Sequence, residues 1–111
     1  MPNLFSYGTL QLNKVQLESF GRLLEGKKDV LSGYKIEQVE ITDPVVLAKS
    51  EQKYHPILVE GQSSDTVSGT VFKISEEELA QADLYEVDDY KRIPVELFSG
   101  VKSFVYVENK D

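Results

Sequence analysis

The chain has 111 residues, 41% of them hydrophobic, and its 19 acidic against 12 basic side chains give a formal charge of −7. No apolar run approaches the roughly 20 residues that cross a bilayer, and an acidic surface argues against nucleic acid, so one soluble domain without membrane or nucleic-acid partners is expected. The absence of cysteine and the single histidine, His55, remove disulfides, thiol nucleophiles, zinc–thiolate sites and multi-histidine centres; nothing in the sequence calls for a metal or a cofactor.

From the start of the chain, Asn3 to Tyr7 is a short β-prone run that stops at Gly8 in the tetrapeptide Tyr7-Gly8-Thr9-Leu10. Glycine at the mouth of a strand lets backbone approach a ligand, and consecutive free amides there can cradle a carboxylate; an ordinary strand-ending turn has the same sequence. Met1 to Tyr7 lacks the charged leader and apolar stretch of a secretory signal, from which a cytoplasmic location is expected. Next comes helix-start chemistry: Asn13 is placed to cap, Gln16 to stand at the third helical position, and Leu12 and Leu17 to form a hydrophobic staple. Gly21 ends that helix.

Between Asp29 and Ile74 the signals are mostly β: Val30 to Val39, Val45 to Leu47, Ile57 to Val59, and Thr66 to Ile74. Gly33, Asp43-Pro44, His55-Pro56, Gly61 to Asp65, and Gly69 punctuate them, which predicts several short strands. Ser75-Glu76-Glu77-Glu78 is a capping box and predicts a helix over about 76–85. Ile93 to Phe98 and Val101 to Val107 then alternate around Ser99-Gly100, a two-residue hairpin signal, and Pro94 assigns its strand to an edge or a bulge. Strands outnumber the two helices without βαβ alternation. The expected fold is α+β: a small mixed, mostly antiparallel curled sheet or barrel with two helices, in a single domain over 1–111.

The residue that stands out chemically is Glu86. Leu79, Ala82, Asp83 and Glu86 follow the i, i+3, i+4, i+7 pattern, which aims a carboxylate at the buried stripe of the helix. Burial, the helix C-terminus and the neighbouring Asp88 and Asp89 would each raise its pKa toward the range useful to a general base. The alternative is a carboxylate in a frayed last turn that points to water. Tyr90 and Arg92 can shape a pocket or hold a carboxylate, although Tyr in a β run is more often core packing and Arg more often solvated, and Asp83 reads as a brace for helix and loop.

Taken in order, these segments resemble the gamma-glutamylcyclotransferase-like family. Leu4-Phe5-Ser6-Tyr7-Gly8-Thr9-Leu10 is similar to its Tyr-Gly-Thr/Ser-Leu signature; Leu79, Asp83, Tyr85-Glu86 and Tyr90-x-Arg92 resemble its second block, Leu-Asp-x-Tyr-Glu followed by Tyr-x-Arg. Tyr54-His55-Pro56, Val67 to Val71 and Phe104 to Val107 fall between and after in the expected order. Gln11 stands where the family often has Arg, His55-Pro56 closes a segment usually ending Gly-Tyr-Pro, and Val87 replaces a common Gly. The resemblance implies an enzyme that releases 5-oxoproline from a small gamma-glutamyl substrate, with Glu86 as base, Tyr7, Gly8, Thr9 and Leu10 as cradle, and Tyr90 and Arg92 at the substrate. It implies no cofactor and a monomer or homodimer. A gamma-glutamylamine cyclotransferase and a non-catalytic binding module of the same fold are the alternatives.

Overall fold

The computed structural model describes residues 2–40, 54–85 and 90–109. Their elements run β1 (Asn3–Ser6), a 3-10 turn (Thr9–Gln11), α1 (Asn13–Phe20), β2 (Gly26–Ser32), β3 (Tyr34–Glu40), β4 (Tyr54–Glu60), β5 (Thr66–Lys73), α2 (Glu76–Tyr85), β6 (Tyr90–Glu96) and β7 (Lys102–Glu108). Five strands form one sheet in the order β2-β5-β1-β7-β6, and β3 and β4 pair as a separate ribbon. Every pairing is antiparallel except β1 with β7, where Leu4 lies opposite Phe104. The fold is the expected mixed α+β one, with a mostly antiparallel curled sheet.

Alternation along β1 builds both cores. Successive strand side chains face opposite ways, so Phe5 enters a cluster with Leu31, Leu58, Val67, Val71, Val105 and Val107, while Leu4 meets Ile74 and Leu79 on the other face. Leu58, fully buried, brings the ribbon over the first face; Leu79 brings α2 under the second. The short central strand is thus buried from both sides, and the loop leaving its C-terminal end starts from a fixed point.

Helix α2 starts as the capping box predicts. The Ser75 Oγ accepts the Glu78 amide at 3.1 Å, and Glu78 Oε1 accepts the Ser75 amide at 2.9 Å. The sequence pattern did not show the third partner, Arg22. Its Nε and Nη2 donate to Glu78 Oε2 and Oε1 at 2.8 and 2.6 Å, tying the exit of α1 to the entry of α2. The Arg22 guanidinium, with the Ser75 bonds, holds the pKa of the Glu78 carboxyl at about 2, well below the ordinary 4.5.

Several local expectations give way to tertiary structure. Asn13 is the first residue of α1 rather than its cap; Leu12 occupies the cap position without a side-chain bond, and Leu12 and Leu17 are more than half exposed, so no staple forms. His55-Pro56 lies inside β4, where Pro56 pairs with Gln38 in a ribbon that is two-stranded among the described residues, so that there it has no inner ladder to interrupt. Gly69 sits in the middle of β5: a Cβ there would strike the Ser6 carbonyl and the Phe5 ring, so glycine serves close strand packing. In the last hairpin the Leu97 amide donates to the Val101 carbonyl at 2.8 Å, which leaves three loop residues, Phe98, Ser99 and Gly100, between that pair. The Gly100 amide donates to the Leu97 carbonyl and Gly100 takes φ 91°, a tight turn followed by a left-handed residue before Val101. Gly21 does end α1 with φ 71°, and Pro94 lies on the edge strand β6. The expectations at Asp43-Pro44 and at Val45 to Leu47 fall outside the described residues.

Candidate functional site

Strand directions decide which segments meet. β1 and β7 run parallel, and β6 is antiparallel to β7, so the end of β1, the end of β7 and the start of β6 share one end of the sheet. β5 reaches that end with Thr70 opposite Ser6. Tyr7 to Leu10 and Tyr90 to Arg92, about 80 residues apart in sequence, therefore lie on the same rim.

The link between them is Pro56. The Tyr90 hydroxyl donates to the Pro56 carbonyl at 2.6 Å, and among the described residues a Cβ built on Gly8 would meet only the Pro56 Cγ, at 3.8 Å. Gly8 is not among the glycines with positive φ. The described part of the fold leaves room for a side chain there, and a bare glycine also lets another molecule approach the backbone closely. Sequence reasoning misses Pro56 because proline beside histidine reads as a turn.

The loop after β1 is tightly accounted for. The Gly8 amide donates to Ser6 Oγ at 3.3 Å, and the Gln11 amide closes a turn on the Gly8 carbonyl at 3.2 Å. Gln11 Nε2 donates to that carbonyl at 3.2 Å, while Gln16, only 3% exposed, donates from Nε2 to the Leu10 carbonyl at 2.9 Å and accepts the Leu24 amide at 2.8 Å. The two glutamines thus take up loop carbonyls from the protein side. The amides of Thr9 and Leu10 open the 3-10 turn, where helical geometry supplies an N–H with no acceptor inside the turn. Sequence reasoning misses this role for Gln16, because helix-capping logic assigns it to the helix start.

A polar network braces the other wall. Tyr7 donates from its hydroxyl to the Tyr106 carbonyl at 2.8 Å, and the Tyr106 hydroxyl donates to Asp83 Oδ1 at 2.8 Å. Arg92 Nη2 lies 3.1 Å from Asp83 Oδ2, and its guanidinium stacks 4.7 Å from the centre of the Phe104 ring. Helix α2 carries no basic residue in its last turn, so Arg92 supplies the positive charge favoured at that end from a neighbouring strand. Leu79 and Ala82 are buried and Asp83 stands at the border of that stripe, acting as the expected brace.

Structure thus brings together Tyr7, Gly8, the backbone of Thr9, Leu10, Tyr90 and Arg92. Glu86 lies outside the described residues; in sequence it is three residues after Asp83 and four before Tyr90. A groove of about 420 Å³ lined by Pro2, Pro94, Glu96 and Lys102, among others, opens at the opposite end of the sheet, away from these residues.

The family model described as gamma-glutamyl cyclotransferase, AIG2-like, matches residues 4–111. The chain belongs to that family. Among solved structures, this gamma-glutamyl cyclotransferase, AIG2-like chain is similar to an Arabidopsis thaliana protein determined in solution, with 27% identity and a TM-score of 0.75 over 96% of this chain and 61% of that one. It also matches the fold of a structure described as gamma-glutamyl cyclotransferase, with 16% identity and a TM-score of 0.73 over 96% of this chain and 66% of the other. An uncharacterised Pyrococcus horikoshii protein matches at 17% identity and a TM-score of 0.66 over 100% of this chain and 80% of its own. This family member therefore spans about three fifths of the Arabidopsis protein and two thirds of the cyclotransferase structure. None of the curated proteins matches it closely. Among its described residues no helix is long and apolar enough to cross a membrane.

Proposed function

We propose that the protein is a gamma-glutamylcyclotransferase-type enzyme that takes a small gamma-glutamyl compound and releases 5-oxoproline, with Glu86 as general base. The observation that supports this most directly is the convergence of the Tyr7–Leu10 loop and the Tyr90–Arg92 segment on Pro56, with Gly8 bare although the described residues leave room for a Cβ. In this reading the loop amides hold the alpha-carboxylate of the substrate. Tyr90 and Arg92 complete the wall, Arg92 being held in place by Asp83 and Phe104.

Glu86 takes a proton from the alpha-ammonium group, and the freed amine attacks the gamma-carbonyl carbon. A carbon–nitrogen bond forms, and the negative charge that develops on the carbonyl oxygen is stabilised by backbone donors. As the tetrahedral centre collapses, the bond to the departing nitrogen breaks and that nitrogen receives the proton held by Glu86; the ring nitrogen then gives its second proton to the freed Glu86 carboxylate, which passes it to the released amine, so that a neutral lactam and an ammonium product leave. Because nucleophile and electrophile belong to one molecule, correct positioning alone can supply effective molarities of ~10⁵ to 10⁸ M, which suits a chain with no cysteine nucleophile.

Release of 5-oxoproline by wild-type and Glu86→Gln protein, against gamma-glutamyl amino acids, gamma-glutamylamines and glutathione, tests the reading. Glutamine keeps the shape and removes the base, so turnover should drop by at least about a hundredfold, the ordinary contribution of a positioned base. Equal turnover by the variant sinks the role of Glu86. Product from no member of the panel favours a binding module, and the pattern of product among the panel assigns the leaving group.

A further inference from the structure

The Gly8 carbonyl is held twice by the same residue: the Gln11 main-chain amide closes the turn on it, and the Gln11 side-chain Nε2 donates to it, both at 3.2 Å. The other end of that side chain is occupied as well. Gln11 Oε1 accepts the Thr70 hydroxyl at 3.0 Å, and Thr70 is fixed in β5 opposite Ser6. With its oxygen taken by an O–H donor, the carboxamide must present its nitrogen to the Gly8 carbonyl. An arginine, frequent in the family at this position, could donate to that carbonyl but has no acceptor for Thr70. Glutamine serves both partners.

The consequence appears on the far side of the peptide. The Gly8–Thr9 bond is trans and planar, so its N–H points opposite to its C=O. A carbonyl drawn toward Gln11 and Thr70 turns the Thr9 N–H away from β5. Gln16 does the same for the next plane but one: itself buried, it holds the Leu10 carbonyl from α1 and thereby steadies the Gln11 amide that closes the turn.

We propose that Gln11 is a positioning residue for the substrate: latched to Thr70, it fixes the Gly8–Thr9 peptide so that the Thr9 N–H meets the substrate carboxylate. This rests on the cyclotransferase reading of the loop. Gln11 itself does not touch the substrate in this scheme, and its effect is on binding rather than on the chemical step.

The informative variant is Gln11→Glu, which keeps the length and the acceptor for Thr70, keeps the main-chain bond that closes the turn, and replaces only the donor facing Gly8. Thr70→Val, which releases the latch from the other end, is the second. Steady-state kinetics of 5-oxoproline release, thermal unfolding, and titration of ¹⁵N-labelled protein with 5-oxoproline are measured together. The expected result for Gln11→Glu is a KM raised about tenfold with kcat within about twofold, as for lost ground-state binding. Thr70→Val should raise KM about threefold. The Thr9 amide resonance should respond to 5-oxoproline in wild type and need about tenfold more ligand in Gln11→Glu.

A wild-type KM in both folded variants overturns the proposal. So does a loss confined to kcat and melting temperature, which is the mark of a purely structural latch. If wild type turns over no gamma-glutamyl compound but its Thr9 amide still responds and the variants weaken that response, the cyclotransferase reading falls and the positioning role stands. Silence of the Thr9 amide in wild type overturns the positioning role.

Discussion

Gly8→Ala separates what the fold needs from what a ligand needs. Among the described residues the added Cβ would meet only the Pro56 Cγ at 3.8 Å, an ordinary van der Waals distance, and Gly8 is outside the left-handed region. Replacing such a glycine restricts the unfolded chain and stabilises the protein by about 0.4–1 kcal/mol. With roughly 4 °C per kcal/mol for a domain of this size, the midpoint of thermal unfolding should stay level or rise by about 2–4 °C. Affinity should move the other way. A methyl group in the cradle forces a substrate resting on this backbone to withdraw, and KM for 5-oxoproline release should rise at least about tenfold, the equivalent of ~1.4 kcal/mol of lost contact. Calorimetry and initial rates on the same preparation give both values. A stable Gly8→Ala protein with wild-type KM would falsify the placement of substrate against this glycine; a strongly destabilised one would refute the packing argument instead.

Two further outcomes concern the scaffold. Gln16→Leu preserves bulk but strips the Leu10 carbonyl of its donor and leaves the Leu24 amide without its acceptor, so urea unfolding should show a loss of about 2–4 kcal/mol; a change under about 0.5 kcal/mol contradicts that account. For Glu78, whose folded pKa is about 2 against 4.5 ordinarily, the bonds to Arg22 and Ser75 contribute fully above the higher value and are lost as pH falls toward the lower. Since Arg22 is 44% exposed, solvent screening limits the difference between wild type and Glu78→Gln to about 1 kcal/mol. Melting curves should show that difference near neutral pH and its disappearance between about pH 4.5 and 2; a difference that is constant with pH argues against the ion pair.

Local chemistry carried much of the fold into the sequence. The capping box at Ser75–Glu78, the stop at Gly21 and the edge position of Pro94 each depend on a few neighbouring residues, and each is found as read. Where the reading departed from the structure, a distant partner had intervened. Gly69 looks like a break until the Ser6 carbonyl is seen pressed against it, and His55-Pro56 looks like a turn until Gln38 and Tyr90 are placed beside it. Leu12 and Leu17 have staple spacing, yet both are exposed at the surface. The loop proposed to hold substrate was legible as a glycine after a strand. Its supports, Gln11 and Gln16, were not, because a glutamine that holds a carbonyl is indistinguishable in sequence from one that faces water.

The parallel contact between β1 and β7 also bears on how the protein comes into being. Tyr7 reaches Tyr106 and Asn3 Nδ2 donates to the Lys102 carbonyl, each across 99 positions of chain. Strand β1 can pair with β5 earlier in synthesis, but one of its two flanks stays open until Phe104 has left the ribosome. Such long-range closure is slow compared with hairpin formation. A nascent chain lacking β7 would carry Phe5 and the glycine loop on an unpaired strand edge, and the rim where the chemistry is proposed would be assembled last.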